Sequence, residues 1–219
     1  MNVRAPFLIA AMAVLSTFNP APVRGSDTID QRVEAVLEKM RGRWRDMNVP
    51  EQDGRLLYEI VLEKGYKSAL EVGTSTGHST LWIAWALSKT GGKLVTLEID
   101  ERRHRQAVDL LAEAGLSDVV DARLGDAHEL VKAVSGPLDF VFLDADKGWY
   151  SNYARAVIPK LEPGGCLSAH NVREPGVGRR GRGWGTAEYL EFMKAQPGFD
   201  TSVLPDSVGG ISVSYRSNP

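Results

Sequence analysis

The stretch Glu71-Val72-Gly73-Thr74-Ser75-Thr76-Gly77-His78-Ser79 sets two glycines directly behind an apolar run. Glycine lets a backbone turn sharply and approach a ligand, and a helix opening just behind it presents unpaired N–H groups. Twenty-five residues after Gly73, Glu98 closes a second apolar run, where a carboxylate can accept both hydroxyls of a ribose. Gly125-Asp126-Ala127 follows a third such run. Together these residues suit a nucleoside-containing cofactor. They do not form the dinucleotide fingerprint G-x-G-x-x-G, because position 75 is Ser and the spacing is G-x-x-x-G. That counts against a nicotinamide dehydrogenase, and the absence of G-K-[ST] excludes a P-loop.

The elements that must hold these residues alternate. The capping pattern of Thr28 with Gln31 opens a helix on which Ile29, Val33, Val36, Leu37 and Met40 follow helical spacing. A second helix starts at Pro50 and ends at Gly65. Then come strand 68–72, helix 77–89, strand 93–99, helix 101–114 capped by Asp100, strand 119–124 and short helix 127–134. Strand 138–143, helix 149–161 stopped by Pro163-Gly164-Gly165, strand 166–169 and helix 186–195 follow. Segments 199–204 and 210–215 read as a closing antiparallel pair. Strands alternating with helices imply an α/β fold with a largely parallel sheet covered on both faces. Ligands of such sheets bind at the carboxyl ends of the strands. The chemistry is therefore expected at 71–79, 98–100, 125–128, 144–147 and 170–171.

With 219 residues, 43% hydrophobic and 25% charged, the chain suits one domain with a sizeable core. The 26 basic and 28 acidic residues give a net charge of −2, which argues against general nucleic-acid binding. A single cysteine, Cys166, excludes an internal disulfide and a Cys-rich zinc site. Residues 1–25 resemble a signal peptide: Arg4 is followed by an apolar run from Ala5 to Leu15, too short to span a bilayer. The expected organisation is a leader at 1–25 and one domain at 26–219, with N-terminal helices at 26–66 and a cofactor-binding core at 67–219. A cleaved leader means export to the periplasm or outside; otherwise the protein is cytoplasmic. No stable membrane span is expected.

Glu71–Gly77, Glu98, Gly125-Asp126-Ala127 and Phe142-Leu143-Asp144-Ala145-Asp146-Lys147 resemble the small O-methyltransferases that use S-adenosylmethionine, the catechol and caffeoyl-CoA type with their bacterial relatives. Met47-Asn48-Val49 is similar to the segment that covers the cofactor in the catechol enzymes. The resemblance implies a Rossmann-like, seven-stranded sheet of order 3-2-1-4-5-7-6 with strand 7 antiparallel. It places Glu71, Gly73 and Ser79 at the methionine end of the cofactor, with Val49 closing over it. Glu98 would hold the ribose, Ile99 and Ala127 would contact adenine, and Asp126 would bond the adenine amine. His78 and His128 would border the cofactor, whereas His104 lies on the charged face of a helix. Members of this family are often dimers, so a homodimer is a further expectation, with a small-molecule acceptor as the partner in chemistry.

In the family, a divalent cation is held by the aspartate of L-D-x-x-K and by a later D-N pair, with the lysine as base. Asp144 and Lys147 match the first segment, but the later pair reads His170-Asn171. Hard cations prefer oxygen ligands, and imidazole in place of carboxylate removes a negative charge. A softer ion on Asp144, His170 and Asn171 is one reading. The other is metal-free, with His170 as base; a phenol of pKa ~10 facing an imidazole of ~6.5 is a mismatch of about 5 kcal/mol. The departure also keeps open a metal-independent enzyme for nitrogen or carboxylate acceptors, and a non-catalytic S-adenosylmethionine-binding protein. Between 173 and 185 the chain carries four arginines and five glycines, a basic loop in which Arg179, Arg180 and Arg182 with Trp184 suit an anionic ring.

Overall fold

The computed structural model describes residues 28–44, 46–174 and 185–218. The leader expected at 1–25 and Arg179, Arg180, Arg182 and Trp184 of the basic loop lie outside the described residues. Among the described residues no helix is long and apolar enough to cross a membrane.

Two helices precede the sheet. α1 (Ile29–Met40) opens with the expected reciprocal cap between Thr28 and Gln31. α2 (Glu51–Lys64) ends on Gly65 at φ 67°, the left-handed conformation that costs a glycine no Cβ clash. The alternating region then runs β1 (Ser68–Val72), α3 (His78–Thr90), β2 (Lys93–Glu98), α4 (Glu101–Glu113), β3 (Val120–Leu124), α5 (Ala127–Ala133) and β4 (Leu138–Leu143). It continues through α6 (Tyr150–Val157), β5 (Leu161–His170), α7 (Thr186–Lys194), β6 (Phe199–Val203) and β7 (Ile211–Arg216). The sheet order is β3-β2-β1-β4-β5-β7-β6. β1 to β5 pair in parallel, and β7 runs antiparallel to both β5 and β6. This is the order and the antiparallel strand that the resemblance implied.

The period-two alternation of the strands sorts the core into two faces. Phe140 and Phe142 of β4 point to the side covered by α1, α2 and α3, where Val33, Leu57, Val61, Leu81 and Ile83 are buried. Val141 and Leu143 point to the other side, against Val131, Tyr150, Tyr153 and Tyr189. On β1 the same alternation sends Leu70 and Val72 to the second face.

One expected element is different. Helix 149–161 is shorter: a 3-10 turn at Lys147–Trp149 leads into α6, and a second at Ile158–Lys160 ends it. Pro159 has no N–H to give an α-helix, which explains why the chain leaves α6 before it. β5 then starts at Leu161, so Pro163-Gly164-Gly165 lies inside a strand, at a register shift against β4. Proline and glycine are tolerated in strands at such irregularities.

Candidate functional site

At the carboxyl ends of β1, β2 and β4 lies a cleft of about 600 Å³. Its construction begins with Gly73. Asp144 N–H donates to the Val72 carbonyl at 2.8 Å, and a Cβ at position 73 would stand 2.6 Å from the Asp144 carbonyl oxygen. With φ 102° as well, only glycine lets the two strand ends meet there. The N–H groups of Gly73 and Thr74 both donate to Leu97 O, which ties the loop to β2.

Glu98 is buried at the end of β2. Its Oε2 accepts from Ser75 N–H at 2.7 Å, and Oε1 accepts from Ile99 and Asp100 N–H at 3.0 and 2.9 Å. The carboxylate is thereby fixed at the cleft wall, and its oxygens have lone-pair capacity for further donors. Ile99 is 69% exposed and lines the cleft together with Met47, so two large apolar side chains face its open space. Asp126 caps α5 by accepting from His128 N–H, and Asp126, Ala127 and His128 line the same wall. The His128 ring stacks on Trp149 at a centroid distance of 3.7 Å, and its Nε2 lies 3.1 Å from Asp146 Oδ2, while Tyr153 OH donates to Asp146 Oδ1.

Glu71 and Ser79 lie behind the cleft, both buried. Thr80 and Thr96 hydroxyls donate to Glu71 Oε2 at 2.5 and 2.6 Å, whereas Oε1 has no partner among the described residues. Burial pushes the Glu71 carboxyl up to about 7, with the charge of Asp144 adding to that and the hydroxyls opposing it.

Val49, expected to close over the methionine end, is not among the cleft-lining side chains: it is 3% exposed in the core beside α2 and α3, and its carbonyl lies 2.9 Å from His78 Nδ1. Met47, 70% exposed with φ 53°, faces the cleft in its place. His78 is likewise interior, stacked on Trp44 and accepting from Trp82 Nε1, and burial lowers its pKa. His104, on the charged face of α4, is half-buried and its Nε2 lies 3.1 Å from Ala122 O. Cys166 is buried, and burial pushes its thiol up to about 12, the state of an unreactive cysteine.

Sequence reasoning missed the residues that pin Met47. Asp46 receives Arg102 Nη2 at 2.9 Å and Arg103 through Nε and Nη2 at 3.1 and 2.9 Å, a bidentate clamp that holds its carboxyl down to about 2. Asp46 O also accepts from Ser75 Oγ. Nothing in the local sequence links position 46 to α4; the only hint was the pair of arginines in the first turn of that helix, where acids are the favoured type.

At the far end of the cleft, Lys147 Nζ lies 2.5 Å from Asp144 Oδ1, and both line it. The other Asp144 oxygen faces His170 Nδ1 at 3.3 Å. His170 Nε2 is 3.0 Å from Oδ2 of Asp53, a fully buried acid of α2 that the sequence gave no reason to single out. Asp53 also accepts from Ser207 Oγ, Val208 N–H and Gly209 N–H. Burial opposes its charge, but His170 and these donors hold its carboxyl below the usual range. For His170, burial alone would lower the pKa; the Asp144 and Asp53 carboxylates overcome that and raise it.

This arrangement fits neither expectation for His170. As a base it needs an open ring nitrogen, and both face carboxylates. As a metal ligand with Asp144 and Asn171 it fits no better. Asp144 already shares its oxygens with an ammonium and an imidazole, and Asn171 is exposed at φ 58°. Among the described residues no three His, Cys, Asp or Glu side chains are grouped to hold an ion. The cofactor is a different matter: the Gly73 cradle, the fixed Glu98 carboxylate and the orphaned Glu71 Oε1 fit a nucleoside carrying a cationic amino-acid end.

Comparison with known proteins agrees with the fold. The O-methyltransferase family model matches residues 23–178. A catechol O-methyltransferase of Niastella koreensis is 36% identical over 134 residues, 59% of this chain and 60% of that protein. Caffeoyl-CoA O-methyltransferase 1 of Eucalyptus globulus is 29% identical over 134 residues, 59% of this chain and 54% of its own length. The chain thus spans little more than half the length of these curated relatives. Among solved structures, an O-methyltransferase from Bacillus cereus in complex with SAH has a TM-score of 0.73 at 28% identity, covering 86% of this chain and 91% of that one. TomG from Streptomyces achromogenes, at 23% identity and a TM-score of 0.71 over 86% and 91% of the two chains, shares the fold. The chain belongs to the O-methyltransferase family, enzymes whose methyl donor is S-adenosylmethionine.

Proposed function

We propose that this protein is an S-adenosylmethionine-dependent O-methyltransferase for a small hydroxylated, aromatic acceptor. One observation carries the reading: a single cleft joins Glu98 and Ile99 at one end to Asp144 and Lys147 at the other. The relatives named for catechol and caffeoyl-CoA substrates support an aromatic acceptor.

When bound, S-adenosylmethionine supplies an electrophilic methyl group on a sulfonium. The chain's own residues do the rest. Glu98 and Asp126 would orient the nucleoside, and the Gly73 loop would bring the reacting end toward Lys147. Positioning of this kind accounts for much of the rate of an in-line displacement. In its amine form, once its own proton has left to solvent, Lys147 is the nitrogen group of the cleft placed to take the acceptor's hydroxyl proton, since both His170 nitrogens face carboxylates. An amine and a phenol exchange a proton with little mismatch, unlike imidazole and a phenol.

The test is transfer of a labelled methyl group to a panel of phenols, amines and carboxylates, alongside calorimetry with S-adenosylhomocysteine. Label on a phenolic oxygen is the expected result. Label only on nitrogen or carboxylate, or binding without transfer to any acceptor, would replace this reading. Absence of S-adenosylhomocysteine binding would remove the cofactor itself.

A further inference from the structure

The strap Asp46-Met47-Asn48-Val49 is stitched to the glycine loop behind β1. Ser75 Oγ donates to Asp46 O at 2.6 Å, Asn48 Nδ2 donates to Thr76 Oγ1 at 2.8 Å, and His78 Nδ1 meets Val49 O at 2.9 Å. Between these ties Met47 and Ser75 line the cleft at φ 53° and 48°. Residues other than glycine rarely adopt that conformation, and it persists only where the surroundings over-determine it. The Ser75 and Asn48 bonds are half-buried, so water competes for their partners. The His78 contact is not: His78 and Val49 are 2 and 3% exposed. Its chemistry is also fixed. A carbonyl only accepts, so Nδ1 carries the hydrogen; the indole N–H of Trp82 only donates, so Nε2, 3.1 Å away, is bare. Both contacts demand the same neutral tautomer. The ring also stacks at a centroid distance of 4.3 Å on Trp44, just ahead of the strap in the chain.

We propose that His78 is a positioning residue for the methyl donor: by donating from Nδ1 to Val49 O, it holds Met47 over the cleft. His78 is not among the side chains lining the cleft, and it acts through the strap. Without that donor the Val49 carbonyl is an orphan in the core, and the strap must shift to bring it to water or to another donor. Met47 shifts with it. Asp144 and Lys147 take no part in these contacts, so the loss falls on donor binding and not on the chemical step. The ligand's identity rests on the methyl-transfer reading above; the state of the strap can be measured without it.

His78→Asn and His78→Gln in the full-length chain separate the two contacts of the ring. An asparagine amide can replace Nδ1 and still donate to Val49 O, leaving Trp82 unpaired. A glutamine amide reaches the place of Nε2 and can accept from Trp82, leaving Val49 O unpaired. Each variant loses a buried hydrogen bond, so both should melt below wild type. Calorimetry with S-adenosylhomocysteine should show the Gln variant weakened about tenfold and the Asn variant within about twofold of wild type. In methyl transfer to catechol, the Gln variant should show a raised KM for S-adenosylmethionine at an unchanged kcat. Amide hydrogen exchange at residues 46–49 should be faster in the Gln variant than in the Asn variant. Equal binding by the two variants, the opposite order, or a fall in kcat at constant KM would overturn the proposal. If either variant does not fold, the wild-type ring decides, read by long-range 1H–15N spectra. Hydrogen on Nδ1, exchanging more slowly once S-adenosylhomocysteine is bound, is expected from the reciprocity of coupled sites. Hydrogen on Nε2, or exchange indifferent to the ligand, would overturn the proposal. A wild type that binds no S-adenosylhomocysteine would defeat the methyl-transfer reading; the exchange difference at 46–49 would still uphold the hold of His78 on Met47, and its absence would remove that too.

Discussion

Gly73 and Asp144 meet so closely that a Cβ on the glycine would stand 2.6 Å from the aspartate's carbonyl oxygen. The ends of β1 and β4 are joined there, and the cleft opens directly beyond them. Gly73→Ala should therefore cost far more than a change of backbone preference. The positive φ and the forced separation of the strands together predict a loss of about 2–5 kcal/mol in urea unfolding. Gly65→Ala, at φ 67° with nothing within 4 Å of the added Cβ, should lose only roughly 1–2 kcal/mol. Equal losses in the two variants would refute a close-packing role for Gly73.

Glu71 makes a prediction about pH. Its folded pKa of about 7 lies above the ordinary 4.5, so between those values the folded state binds the extra proton. Stability should then fall as pH rises from 4.5 to 7 and level off above, by at most about 3 kcal/mol from this group. Glu71→Gln should flatten that slope and melt higher than wild type at pH 7.5. An unchanged slope in thermal unfolding across this range would assign the pH dependence elsewhere.

Asp46 tests the clamp on Met47. Its carboxyl is lowered from 3.8 to about 2 by Arg103 and Arg102, so the pairing is complete above 3.8 and lost only as pH falls toward 2. At neutral pH, Asp46→Asn should weaken binding of S-adenosylhomocysteine several-fold while leaving the melting temperature near that of wild type, since exposed ion pairs contribute little to stability. Added salt should weaken binding in the wild type and much less in the variant. Calorimetry at two ionic strengths checks both points.

Much of this protein could be read along the chain because the determinants are local. Thr28 and Gln31 cap α1, Asp100 caps α4, and Gly65 closes α2, each through contacts within a few residues. The apolar runs at 68–72 and 138–143 are strands with the bounds their patterns suggested, and Glu98 and Ile99 stand at the cleft where the alternation put them. Where a local pattern carried two meanings, the reading slipped: Pro163-Gly164-Gly165 looks like a stop but sits in a bulged strand.

What tertiary structure alone decided is the electrostatics of the reacting end. An acid in the first turn of a helix, as Asp53 is, ordinarily serves the helix dipole. Its partner His170 is 117 positions away, and the donors that keep it charged are farther still. The same holds for Asp46 with Arg103 and for Val49 with His78. Sequence periodicity reports which face of an element is buried; it carries no record of which distant charge meets it there. The protonation and role of a group depend on that meeting, since in a dry interior a neighbouring charge a few ångströms away outweighs the side chain's intrinsic tendency.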